Sequence, residues 1–148
     1  SAPQADRSRI QLQYAKEPVK YQLRLSLQVQ PSINIPPKQK NVPITQPLRI
    51  PSRVRVWGFM PHMHKFATRF DVKFNQAVEN KPCLVNIPRW DYNWQQTYFF
   101  KAKEGVIMQP GTALKMTCIF DNPTDKSIRW GDKTGDEMCL NFYFVSTN

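Results

Sequence analysis

Apolar and polar residues alternate along this chain in short runs, and no stretch of a dozen residues repeats with the 3.6-residue spacing of a helix. The clearest case is Arg53-Val54-Arg55-Val56, with valines toward one side and arginines toward the other. Strand-like runs cover residues 10–14, 21–29, 42–50, 54–59, 70–74, 83–87, 94–100, 114–120 and 138–145. Turn-forming residues separate them: Lys16-Glu17-Pro18, Pro31-Ser32, Pro36-Pro37, Gln109-Pro110-Gly111 and Asp121-Asn122-Pro123. This rhythm predicts an all-β sandwich built as one domain over residues 1–148, with residues 1–9 loosely held. No internal repeat or linker interrupts it.

Composition supports a packed unit. Hydrophobic residues make up 41% of the 148, and nine Phe, five Tyr and four Trp supply bulky core candidates. Thirteen prolines against five glycines favour extended segments and turns over long helices. No run approaches the roughly 20 apolar residues of a transmembrane helix. The opening Ser1-Ala2-Pro3-Gln4-Ala5-Asp6 is not a signal peptide, so any leader is expected to have been removed or to lie outside this sequence. A net charge of +10 fits either a solvated basic surface or an acidic partner such as a membrane surface, an anionic polymer or an acidic protein. The basic residues are scattered and follow no nucleic-acid-binding motif, which argues against nucleic acid.

Candidate chemistry centres on the only two histidines, His62 and His64, in Met60-Pro61-His62-Met63-His64. On an extended strand, residues i and i+2 share a face, so both imidazoles can converge on one metal ion. Parity with Val54 and Val56 would put Met60, His62 and His64 on the valine side, unless Gly58 or Pro61 introduces a bulge. Far downstream, Asp136-Glu137-Met138-Cys139 offers a thioether and a thiol. Two imidazoles with a thioether suit copper, and zinc is the runner-up because a thioether is a poor zinc ligand. Met60 and Met63 read as packing residues, as do Met108 and Met116. Trp90, Tyr92, Trp94 and Tyr98 read first as core and only second as a substrate cleft, Asp91 and Asn93 as turn residues, and 132–137 as a charged loop. Nucleophilic catalysis lacks support, since there is no third histidine and no nucleophile elbow. Cys83, Cys118 and Cys139 form no CxxC pair. A bridge between neighbouring strands would imply an oxidising compartment, but spacing alone leaves the pairing open.

Three segments carry a resemblance: Met60-Pro61-His62-Met63-His64, the run Trp90-Asp91-Tyr92-Asn93-Trp94-Gln95-Gln96-Thr97-Tyr98, and the stretch from Trp130-Gly131 to Asp136-Glu137-Met138-Cys139. Their order and spacing resemble the C-terminal domain of copper type II ascorbate-dependent monooxygenases, in a form closer to bacterial relatives than to the animal enzymes. The resemblance implies a jelly-roll sandwich of two antiparallel sheets. It further implies one catalytic copper held by His62, His64 and Met138, and a disulfide between Cys118 and Cys139. Asp136 and Glu137 become turn or supporting groups, since a carboxylate can orient the far nitrogen of a ligating histidine. Family enzymes carry a second, electron-donating copper on three further histidines upstream, which this chain does not contain. It is therefore either part of a larger protein or a one-domain homologue.

The resulting expectation is a mononuclear copper domain, periplasmic or extracellular. It would act as the catalytic half of a monooxygenase if an electron-donor domain, partner or reductant supplies electrons. A non-enzymatic copper-handling module and a structural interaction subunit are the alternatives.

Overall fold

Strands form where the two-residue alternation meets turn residues on both sides. The computed structural model describes residue 5 and residues 7–75, 83–101 and 105–147; of the loosely held segment 1–9, positions 1–4 and 6 lie outside the described residues. Eleven strands are present among the described residues, with no helix: β1 (Arg24–Val29), β2 (Asn34–Ile35), β3 (Val42–Arg49), β4 (Val54–His62), β5 (Ala67–Phe74), β6 (Val85–Ile87), β7 (Tyr98–Phe99), β8 (Val106–Met108), β9 (Ala113–Phe120), β10 (Ile128–Arg129) and β11 (Leu140–Ser146). One sheet has the order β1-β11-β4-β7, with β8 also on β4; a second runs β3-β9-β5-β6; β10 and β2 form a two-stranded ribbon. All strand ladders are antiparallel.

The inner faces of the two sheets share one core. Val56, Phe59 and Tyr143 come from the first sheet, and Phe70, Val72, Leu114, Met116 and Phe120 from the second. On β9 the alternation is plain: Leu114, Met116, Cys118 and Phe120 are buried while Lys115 is exposed. Met63 and Met108 are core as well. Burying each large side chain is worth about 1.5–3 kcal/mol relative to leaving it in water, so this two-residue period is what selects the fold. Cys118 on β9 is disulfide-bonded to Cys139, the residue before β11, with Cα atoms 5.9 Å apart. The bridge therefore ties one sheet to the other and does not join neighbours within a sheet, as the strand order in sequence had suggested. Cys83 is a free, exposed thiol. No helix among the described residues is long and apolar enough to cross a membrane.

Two expectations fail for identifiable reasons. Residues 10–14 alternate like a strand but pair with no strand among the described residues. The valine-side parity also breaks. β11 pairs Val145 with Val56 but Phe144 with Gly58, leaving Trp57 as an extra residue in β4. That bulge shifts the parity by one. Val56 and then Phe59 point into the core, and Met60 and His62 lie half-buried on the opposite, outer face. Pro61 is accommodated because beyond Phe59 β4 has β11 on one side and no strand on the other among the described residues.

Candidate metal centre

His62 ends β4, where it pairs with Leu140 at the start of β11. Met138 lies two residues before Leu140 and is half-buried, so the chain delivers it to the same end of the sheet. His64 lies two residues beyond the end of the strand and is buried. The imidazole rings lie 5.2 Å apart between centroids and are nearly perpendicular, at 85°. Two imidazoles can share one ion only if their centroids lie within about 6.4 Å, taking nitrogens about 2.1 Å from the metal and ring centres about 1.1 Å further back. The observed spacing meets that requirement.

The protein fixes which nitrogen of each ring is free. Nδ1 of His64 lies 3.0 Å from the backbone carbonyl oxygen of Asp136. A carbonyl can only accept, so Nδ1 carries a proton, and in the neutral ring Nε2 keeps its lone pair. Nδ1 of His62 lies 2.7 Å from Oε1 of Gln95, while the Gln95 amide nitrogen donates to the Tyr92 carbonyl at 3.1 Å. With its nitrogen committed there, Gln95 presents its oxygen to His62, which again leaves Nε2 unprotonated. Burial is the largest influence on His62 and holds its pKa below the ordinary histidine value; the Gln95 bond pulls it upward and the neighbouring His64 downward. A neutral ring with a free Nε2 is the form that binds metal.

Glu137 organises the other side. Its side chain is fully removed from solvent. One carboxylate oxygen accepts the backbone N–H of His64 at 2.8 Å and that of Met138 at 3.3 Å, and the other accepts the N–H of Phe66 at 2.6 Å. A single carboxylate thus fastens the turn after β4 to the segment that carries Met138. Burial pushes its pKa up, opposed by these N–H donors. The residue enters this position through a tight turn in which the Asp136 N–H donates to the Lys133 carbonyl at 2.9 Å. Gly131 permits the turn, since a Cβ there would strike the Asp136 carboxylate.

Gln95 reaches His62 because β7 closes onto β4. Gly58 pairs with Phe99, and a Cβ at Gly58 would meet the Tyr98 carbonyl and lie 2.8 Å from Phe99 Cδ1. The loop ahead of β7 also stands Tyr92 edge-on to His64, with centroids 6.2 Å apart. Asn93 donates its N–H to the Asp91 carboxylate at 2.9 Å, the turn role expected of that pair. Trp90 is core, but Trp94 is exposed, so the aromatic run is divided between core and surface.

Among the described residues no three of the His, Cys, Asp and Glu side chains converge as a metal cage. The carboxylate imagined as orienting a histidine is a backbone carbonyl for His64 and an amide for His62. Gln95 stands inside Trp94-Gln95-Gln96-Thr97-Tyr98, where no local pattern marks it as a histidine partner.

A family model described as the copper type II ascorbate-dependent monooxygenase, C-terminal domain, matches residues 22–147 of the chain. No curated protein matches it.

Proposed function

Because the chain belongs to the copper type II ascorbate-dependent monooxygenases, as their C-terminal domain, we propose that it binds one mononuclear copper through Nε2 of His62, Nε2 of His64 and the thioether of Met138. The observation that carries this reading is the pair of committed Nδ1 atoms, which leaves two neutral Nε2 donors on neighbouring rings. The mixed nitrogen and sulfur set suits copper in both oxidation states, with the thioether favouring Cu(I). When bound, such a copper supplies reductive dioxygen chemistry: one oxygen atom enters a substrate C–H bond, and the other leaves as water with two electrons and two protons. This chain holds the imidazoles in the right tautomer through Gln95 and Asp136, and Glu137 holds His64 and Met138 together. The electrons come from another domain, a partner protein or a small reductant such as ascorbate. The Cys118–Cys139 bridge favours a periplasmic or extracellular setting.

Anaerobic titration with Cu(I) under a competing chelator tests the binding. One equivalent should bind, and Met138→Leu should weaken it while costing less than about 1.5 kcal/mol of fold stability, because the swap conserves volume. Failure to bind copper, or an unchanged affinity in the variant, overturns the ligand set. Copper-dependent oxygen consumption with ascorbate supports catalysis. Stoichiometric copper without oxygen consumption supports the copper-handling reading.

A further inference from the structure

A cavity lies at the end of the second sheet, where β5 begins and β9 ends. Its volume is about 520 Å³, in the range of small-molecule sites. Lys38, Lys40 and Lys65 line it together with the apolar Phe66, Ala67 and Pro123. One wall is built from strained backbone. Lys38 and Asn41 are the two non-glycine residues with left-handed φ among the described residues, at 55° and 54°. Asparagine tolerates that region, but a lysine enters it only where its surroundings hold it there. Here they do. The Lys38 N–H donates to the Thr124 carbonyl at 3.1 Å, the Asn122 N–H to the Gln39 carbonyl at 2.7 Å, and the Asn41 N–H to the Asp121 carboxylate at 2.7 Å. Asn122 is buried, and its amide nitrogen lies within 3.0 Å of the carbonyl oxygens of Ile35, Pro36 and Lys126. The cavity is thus preformed, and the strained loop brings Lys38 and Lys40 beside Lys65.

We propose that this cavity binds a small organic anion with an apolar body, such as a medium-chain carboxylate. Charge sets the head group. Lys38 is already paired with Asp125 at 3.0 Å and donates to the Pro123 carbonyl at 2.9 Å. Lys40 and Lys65 have no ion-pair partner among the described residues, and Asp121, the one acid in the lining, accepts the Asn41 N–H. Their two ammonium groups can each donate to one oxygen of a bound carboxylate. The apolar lining sets the rest. A bare ion would leave the exposed parts of Phe66 and Pro123 in water, whereas an alkyl or aryl body covers them. The Lys65 ammonium lies 4.9 Å from the centroid of the Phe66 ring, so charge and apolar surface adjoin. Phe66 also links the cavity to the metal centre: its carbonyl accepts the Asp121 N–H at 2.9 Å, and its own N–H donates to Glu137 at 2.6 Å. None of the candidate metal ligands lines the cavity, and the proposal does not depend on copper.

NMR titration of the metal-free protein tests it, with octanoate below its micelle concentration as the probe. Backbone amides of residues 38–41, 65–68 and 121–122 should shift together and saturate at one equivalent bound. Acetate has the head group without the body, and octanol has the body without the charge. Each should bind at least about tenfold more weakly than octanoate. Lys40→Gln and Lys65→Gln each remove one charged donor and should each weaken octanoate about tenfold or more. Both lysines are exposed, so the melting temperatures of these variants should stay at the wild-type value. Several results would overturn the proposal: no saturable shift at those amides, acetate binding as tightly as octanoate, octanol binding as tightly as octanoate, or an affinity that survives both lysine substitutions. Acetate matching octanoate would mean a plain anion patch, and octanol matching it an apolar crevice.

Discussion

Replacing Glu137 with glutamine probes how the site is held. The wild-type carboxylate accepts three backbone N–H groups, from His64, Phe66 and Met138, in a place closed to solvent. Glutamine keeps one acceptor oxygen but turns an NH2 toward at least one of those donors. Loss of a hydrogen bond to a buried charge costs about 1.5–3 kcal/mol. Removing the charge also lifts its burial penalty, which offsets part of that loss. The net effect should be a destabilisation of roughly 1–3 kcal/mol, or a fall in melting temperature of about 2–12 °C for a domain of this size. Because the same group sets His64 against Met138, copper affinity should fall about 10–100-fold, the usual scale for residues that orient metal ligands. Thermal unfolding of the metal-free protein and a Cu(I) competition titration measure the two effects separately. A variant that melts within about 1 °C of wild type and binds Cu(I) equally well would refute the idea that this carboxylate fixes the site.

Three more outcomes follow from the same contacts. Gln95→Ala removes the bond that pulls the His62 pKa upward, so NMR titration of the metal-free protein should show His62 titrating lower still. Since His62 already titrates below its unfolded value, the folded state binds fewer protons; its contribution to stability is therefore lost as pH falls from about 6.5 toward the lowered value, and denaturant unfolding across that window should show the loss. Breaking the Cys118–Cys139 bridge, which spans a sequence separation of 21, should cost about 3 kcal/mol by chain entropy, seen in urea unfolding with and without reductant. Gly58→Ala should push β7 away from β4 and loosen Gln95, so the His62 resonances should broaden or shift while the second sheet stays unchanged.

Much of the architecture can be read from residue order. β3, β9 and β11 follow their alternating patterns to within two residues, because each has one face in the core and turn residues at its ends. The strands β2, β8 and β10 have only two or three residues, too few to show any period. The runs predicted over residues 83–87 and 94–100 shrink to Val85–Ile87 and Tyr98–Phe99, since only those residues find a partner. Trp57 defeats parity reasoning because a bulge depends on the register with β11, whose partners for Val56 and Gly58 are 89 and 86 residues away in sequence. The histidine pair is legible as a local pattern. Its supports are not: Gln95 arrives through a loop packed by a distant glycine. Glu137 shares a charged stretch with Asp132, Lys133 and Asp136, and nothing local marks it as the member that is buried.

The ligand set is tested most directly by X-ray absorption at the copper edge of Cu(I)-loaded protein. Wild type should show two imidazole nitrogens and one sulfur around the metal, and Met138→Leu should show the nitrogens alone. A wild-type spectrum without sulfur, or a sulfur signal that survives in the variant, would contradict a copper held by His62, His64 and Met138.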